Sequence, residues 1–150
     1  MKIIIVKEVL TVEGLKLHRY WISESHFSIN PNFFNKIGTT SKISPEMQHI
    51  IKKIDDNNAE VEITVHIRRD ENSPFEVKLS INGFFECKNW EKDSEQNKLL
   101  LFTSTQILFP YLRQAVSTIT GLANIPSYVM PLINVYSMFG VNPETKMDGK

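Results

Sequence analysis

The stretch EVEITVHIRRDENSPFEVKLSING, Glu60 to Gly83, decides the fold. Val61, Ile63, Val65 and Ile67 alternate with Glu60, Glu62, Thr64, His66 and Arg68; Phe75, Val77, Leu79 and Ile81 then alternate with Glu76, Lys78, Ser80 and Asn82. Successive side chains of a strand point to opposite faces, so a period of two gathers the apolar residues on one face. RDENSP between the runs has turn composition. Together they predict an antiparallel hairpin with one apolar and one wet face, and Gly83 is expected to let the second strand bend before FFECKNW.

Toward the N-terminus, LKLHRYWISESHFSI (Leu15 to Ile29) alternates in the same way, with a slip around Ser23–Ser25 that a bulge would repair. Met1 to Glu13 is ambiguous. Val6, Val9, Leu10 and Glu13 have helical spacing, whereas Ile3, Ile5 and Lys7 alternate as in a strand; Gly14 ends the segment either way. Asn30 to Glu46 has the composition of a loop, yet it carries Phe33, Phe34 and Ile37. Ser44 and Pro45 have the form of a helix start, so SPEMQHIIKKI predicts a short helix with Met47, Ile50, Ile51 and Ile54 on one side. DDNN, Asp55 to Asn58, predicts a turn.

Toward the C-terminus the period changes. After the polar stretch EKDSEQNK, expected to be a loop, Leu108, Leu112, Ala115, Ile119 and Leu122 fall at steps of four and three, one stripe of a helix that Gly121 is placed to stop. Pro110 lacks an amide proton, so either a kink or an effective helix start is expected there. ANIPSYVMP is extended or turning, because a residue before proline avoids the helical region. Pro131 to Phe139 predicts a second, short helix, and residues 140–150 a disordered tail. Strands followed by helices on an apolar sheet face make an α+β fold, and 150 residues fit a single domain.

Lys+Arg and Asp+Glu are 17 each, so net charge steers the chain neither to nucleic acid nor to an acidic membrane surface. Cys87 is the single cysteine, which excludes an intrachain disulfide and fits a reducing, cytoplasmic setting. MKIIIVKEVL is too short in its apolar part for a signal-peptide core, and LLLFTSTQILFPYL is too short and too polar to cross a bilayer. His18, His26, His49 and His66 lack zinc-motif spacing, and Cys87 reads as a packing residue. There is no phosphate-binding glycine loop and no nucleophile elbow. Asp55–Asp56 falls in a turn, and Arg68–Arg69 is too small a basic patch for nucleic acid. No enzyme, metal or cofactor is expected. What the chain holds in surplus is apolar surface, above all from Ile107 to Phe139.

ILFPYLRQ, followed by an amphipathic helix and NIPSYVMPLINVYSMF, resembles the C-terminal half of SecB, the protein-export chaperone family. The residues that carry the likeness are Ile107, Leu108, Phe109, Pro110, Tyr111 and Arg113, then Pro126, Pro131, Ile133 and Asn134; INGFFE, Ile81 to Glu86, resembles the end of the family's third strand. The resemblance implies a four-stranded antiparallel sheet with two C-terminal helices packed on one face. It implies a homotetramer, a dimer of dimers with the first helices sandwiched between sheets. The implied activity is an ATP-independent holdase that binds unfolded polypeptides in apolar grooves. Clients would be preproteins handed to SecA or, in some relatives, an antitoxin of a toxin–antitoxin system. The groove residues so implied are Phe33, Phe34, Ile37, Phe84, Phe85, Tyr128, Met130, Leu132, Val135, Tyr136 and Phe139; Tyr111, Gln114 and Thr118 would meet another subunit. Large aromatic and Met side chains suit a surface that must accept many sequences. Two features differ from the family pattern: the wet sheet face mixes charges instead of being acidic, and NPETKMDGK lacks the metal-binding residues of a SecA-contacting tail.

Overall fold

The hairpin forms where the alternation places it. Strands β4 (Asn58–Ile67) and β5 (Phe75–Cys87) pair antiparallel, with Val61 opposite Gly83, Ile63 opposite Ile81 and Val65 opposite Leu79. The computed structural model of the protein describes residues 10–12, 15–34, 43–69, 73–87, 95–122 and 128–131. β1 (Leu10–Val12), β2 (Leu15–Ile29) and β3 (Glu46–Asp55) complete a sheet ordered β1-β2-β5-β4-β3. The chain therefore leaves β2, crosses to the far edge at β3 and returns by two hairpins to lie beside β2. The four long strands match the expected antiparallel sheet. The short β1 settles Leu10–Val12 as strand.

β2 slips in register against β5 between Leu17 and Arg19 and again between Ile22 and Glu24. The second slip falls at the expected bulge, where the Ser23 hydroxyl donates to Asn82 Oδ1. Each slip changes which residues face the core. Leu15 and Leu17 lie on the buried face, then Tyr20 opposite Gly83 and Ile22 opposite Ile81.

Two expectations need correction. Glu46 to Asp55 is a strand, not a helix. Met47, His49 and Ile51 face inward in alternation, and the helical set Met47, Ile50, Ile51, Ile54 is split, leaving Ile50 58% exposed. β4 offers the segment a ladder of backbone partners, and paired Ile residues suit a pleated surface. The Asp55 carboxylate accepts from Asn57 N and Asn58 Nδ2, closing the turn into β4; these bonds hold its pKa below the usual carboxylate range.

The second correction concerns the long helix α2, Glu95–Gly121, which takes in part of the expected polar loop and runs through Pro110. It spans 27 residues, roughly 40 Å at the α-helical rise. Proline there removes the bond to the Gln106 carbonyl. Gln106 and Pro110 are both exposed, so water can take that acceptor's free site. The inward stripe is Leu108, Leu112, Val116 and Thr120; Ala115 and Ile119 are only half-buried and Leu122 is 80% exposed. Of the expected second helix only Pro131 is described, and it is not helical; residues 132–139 and the tail lie outside the described residues.

α2 packs on the apolar face of β2, β5 and β4. Gly83 marks its closest approach: a Cβ there would sit 2.7 Å from Phe85 Cε2 and 3.1 Å from both Leu108 methyls. The strand continues unbroken past this glycine to Cys87, and the missing side chain leaves room for Phe85 and Leu108. The side chains of Ile63, Val65, Ile81, Phe85, Leu108, Leu112 and Met130 are wholly enclosed. On the opposite face Thr64 and Ser80 share a hydroxyl hydrogen bond of 2.7 Å.

His49, on the inner side of β3, is half-buried, and desolvation lowers its pKa. The unfolded chain then holds a proton near pH 6 that the folded chain resists, so folded stability from this site is full above pH ~6.5 and declines as pH falls through the lowered value. Unfolding midpoints measured from pH 7.5 to 5 should fall less steeply for His49→Leu than for the parent; equal slopes would remove the site from the acid response.

Candidate polypeptide-binding surface

An extended segment, Tyr128 to Pro131, returns along α2. Its residues alternate: the Met130 side chain is sealed in the core, Val129 is 55% exposed and Tyr128 is half-buried. The Tyr128 ring lies 5.7 Å from Phe75, which lies 6.0 Å from Phe27. Three rings thus join the returning segment to β5 and β2. Burial raises the Tyr128 pKa, so its hydroxyl stays neutral at physiological pH.

Nearer the middle of α2, Tyr111 stacks on Tyr20 at 4.3 Å. Tyr20 and Ile22 lie on the helix side of β2 and keep 43% and 44% of their surface exposed. Gln106, Pro110, Gln114 and Thr118 are exposed at steps of four, an outward stripe that ends at Leu122. In contrast, Leu100 to Phe109 is buried at nearly every helical azimuth, with Gln106 the exception and Leu101 half-buried. The surface of α2 that is free to meet another molecule is therefore mainly its C-terminal half.

The residues implied by the family resemblance divide into groups. Phe33 is half-buried in the single helical turn α1 (Pro31–Phe34), where its amide donates to the Asn30 carbonyl, and Phe34 lies in the same turn. Tyr128 is half-buried, its ring against Phe75. Phe85 and Met130 offer nothing to a ligand, since both are 0% exposed and packed in the core. Phe84 lies on the other face of the sheet, tilted against His18, with the Arg19 guanidinium 5.8 Å from its ring. Adjacent strand residues cannot share a face, so Phe84 and Phe85 could not both line one groove. Tyr111, Gln114 and Thr118 do share one side of α2, and the Thr118 hydroxyl donates to the Gln114 carbonyl. Ile37, Leu132, Val135, Tyr136 and Phe139 lie outside the described residues.

Sequence reasoning missed Tyr20 and Ile22, because it placed a bulge only around Ser23–Ser25 and not the earlier slip between Leu17 and Arg19 that turns them to the helix side. It also missed what Arg113 does: Nε donates to the Met130 carbonyl at 2.7 Å.

The wet face carries the ion pairs Lys78–Glu24 and Arg68–Glu46, with the His66 and His18 rings beside the carboxylates of Glu76 and Glu86. Arg19 also lies 5.4 Å from the Trp21 ring. Among the described residues no cluster of three His, Cys, Asp or Glu is arranged to hold a metal ion, and no helix is long and apolar enough to cross a membrane. Cys87, at the end of β5, is half-buried, and desolvation raises its thiol pKa, which disfavours the nucleophilic thiolate.

Residues 13–146 match the family model of SecB, the preprotein translocase subunit. An uncharacterized protein of Methanocaldococcus jannaschii is 31% identical over 136 residues, covering 89% of this chain and 87% of the relative. The protein-export protein SecB 1 of Polaromonas naphthalenivorans is 34% identical over 79 residues, about half of each chain (53% and 50%). Among solved structures, a SecB-like chaperone of Mycobacterium tuberculosis, in complex with a peptide from the HigA1 antitoxin, has the same fold: TM-score 0.59 at 14% identity, covering 80% of this chain and 91% of that one. A Streptococcus agalactiae protein of unknown function matches with a TM-score of 0.50 at 10% identity, covering 79% of this chain and 97% of the other.

Proposed function

Because the chain belongs to the SecB family, we propose that it is a cytoplasmic, ATP-independent holdase that binds unfolded or non-native polypeptides and performs no chemistry on them. One observation carries this. The sheet and α2 close a complete core, yet Tyr20, Ile22, Leu122 and Val129 remain with 43–80% of their surface in water. Large apolar residues left in water outside the core are what an interaction surface would use. Area and adaptability, not directed polar contacts, suit clients of varied sequence.

Part of that surface is assigned to sister subunits. The outward stripe of α2, with Tyr111 beside it, suits helix-to-helix contact in a dimer of dimers, and native mass measurement tests this: a tetramer is expected, a strict monomer counts against it.

The activity test mixes the protein with a reduced, unfolded client during dilution from denaturant. Aggregation measured by light scattering should be suppressed at about one assembly per client without nucleotide, and a complex should appear on sizing. Tyr20→Ser with Ile22→Ser should weaken suppression. Undiminished aggregation and no complex with the parent protein would count against holdase activity. Preproteins bound for export, with SecA as receiver, are the client class the family suggests.

A dedicated client is the second reading, with an antitoxin of a toxin–antitoxin system as the example. Its support is the antitoxin peptide bound by the structurally similar M. tuberculosis chaperone and the paired charges on the wet sheet face. Affinity capture distinguishes the two: one stoichiometric partner favours the dedicated role, many favour the general one.

A further inference from the structure

α2 makes hydrogen bonds to the main chain of the returning segment. Arg113 Nε donates to the Met130 carbonyl at 2.7 Å, and the Ser117 hydroxyl donates to the Tyr128 carbonyl at 3.1 Å. The Thr120 hydroxyl accepts from the Tyr128 amide at 2.9 Å while donating back to the carbonyls of Val116 and Ser117. Positions 113, 117 and 120 follow i, i+4, i+7, so the three groups line one face of the helix. The segment runs antiparallel to it: residue 130 meets residue 113, and residue 128 meets residues 117 and 120.

Each of these contacts would survive a change of side chain in the segment. Packing adds to them through Met130, sealed in the core, and the half-buried Tyr128 ring against Phe75. Met130 precedes Pro131, which restricts it to extended backbone. Arg113 makes no ion pair with a carboxylate among the described residues, so its charge serves the Met130 carbonyl, and a charge-assisted bond is stronger than a neutral one.

We propose that Arg113, helped by Ser117 and Thr120, is a positioning residue for client binding. It holds Tyr128–Met130 in one extended conformation, with the Tyr128 ring on Phe75 and Val129 turned outward, at the point where the apolar sequence Leu132 to Phe139 begins. Arg113 acts on the client only through this segment. The role rests on the holdase activity proposed above.

The test compares the full-length protein with Arg113→Ala, Arg113→Lys and Ser117→Ala in two measurements. Hydrogen exchange reads the clamp without any client. In Arg113→Ala the Tyr128 amide should exchange about tenfold faster, the scale of one lost charge-assisted bond, while amides of β4 and β5 keep their protection. Affinity for fluorescently labelled, reduced and carboxymethylated lactalbumin should weaken about tenfold in parallel, with Arg113→Lys recovering part of both effects. Ser117→Ala, a milder change, should shift both readouts in the same direction. An unchanged Tyr128 amide overturns the clamp. A faster amide with unchanged client affinity overturns the positioning role. If the parent protein fails to bind the labelled polypeptide, holdase activity and the positioning role fall together, and the exchange data still report whether the clamp exists.

Discussion

Phe85→Ala is expected to cost ~3–5 kcal/mol of folding stability, the usual range for removing a large enclosed aromatic ring. Phe85 is fully buried beneath α2 and packs into the cluster that contains Ile81, Leu108 and Leu112. Its neighbour Phe84 is half-buried on the opposite face against His18 and Arg19. Phe84→Ala should therefore cost much less, about 1 kcal/mol, as expected for a partly exposed ring with one cation–π contact. Urea unfolding of the two variants side by side makes the comparison. Equal shifts in midpoint would contradict the assignment of the two rings to different faces. Client affinity of folded Phe85→Ala should match the parent, because the ring has no surface to offer.

The second large effect is at the helix–sheet contact. Gly83→Val places atoms where Phe85 and Leu108 already sit and should cost ~1–3 kcal/mol, as overpacking of a tight core does. Leu108→Ala alone should cost ~2–5 kcal/mol through the cavity it leaves. In the double variant the valine occupies part of that cavity. The combined loss should fall short of the sum of the single losses by ~0.5–3 kcal/mol, the range for residues in contact. Additive costs in chemical denaturation would show that Gly83 and Leu108 do not share the space the geometry assigns them.

Much of the fold was legible because its signals are local. The hairpin from Glu60 to Gly83 declares itself through alternation, which depends only on the pleat of each strand. The helical stretch after Ile107 declares itself through the change of period. ILFPYLRQ carried the family likeness, and the structure gives its residues separate tasks: Leu108 and Leu112 fill the core, Pro110 faces solvent, Tyr111 stacks on Tyr20 and Arg113 holds the Met130 carbonyl. Of the candidate surface, Tyr128 and the outward side of α2 at Gln114 and Thr118 were anticipated. Tyr20, Ile22 and Val129 were not.

By itself the sequence determined an antiparallel sheet with one apolar face and a helix after Ile107 to cover it. Only the tertiary structure decided that Glu46–Asp55 is a strand, since that state depends on backbone bonds to β4 and the segment's own Ile spacing suits a helix equally well. It also decided which apolar residues stay outside. The register slip between Leu17 and Arg19 turns Tyr20 and Ile22 toward the helix, and contacts with Phe75 and Arg113 leave Tyr128 half-buried and Met130 within. Those outcomes depend on partners in other segments of the chain, and a periodicity read within one segment contains no information about them.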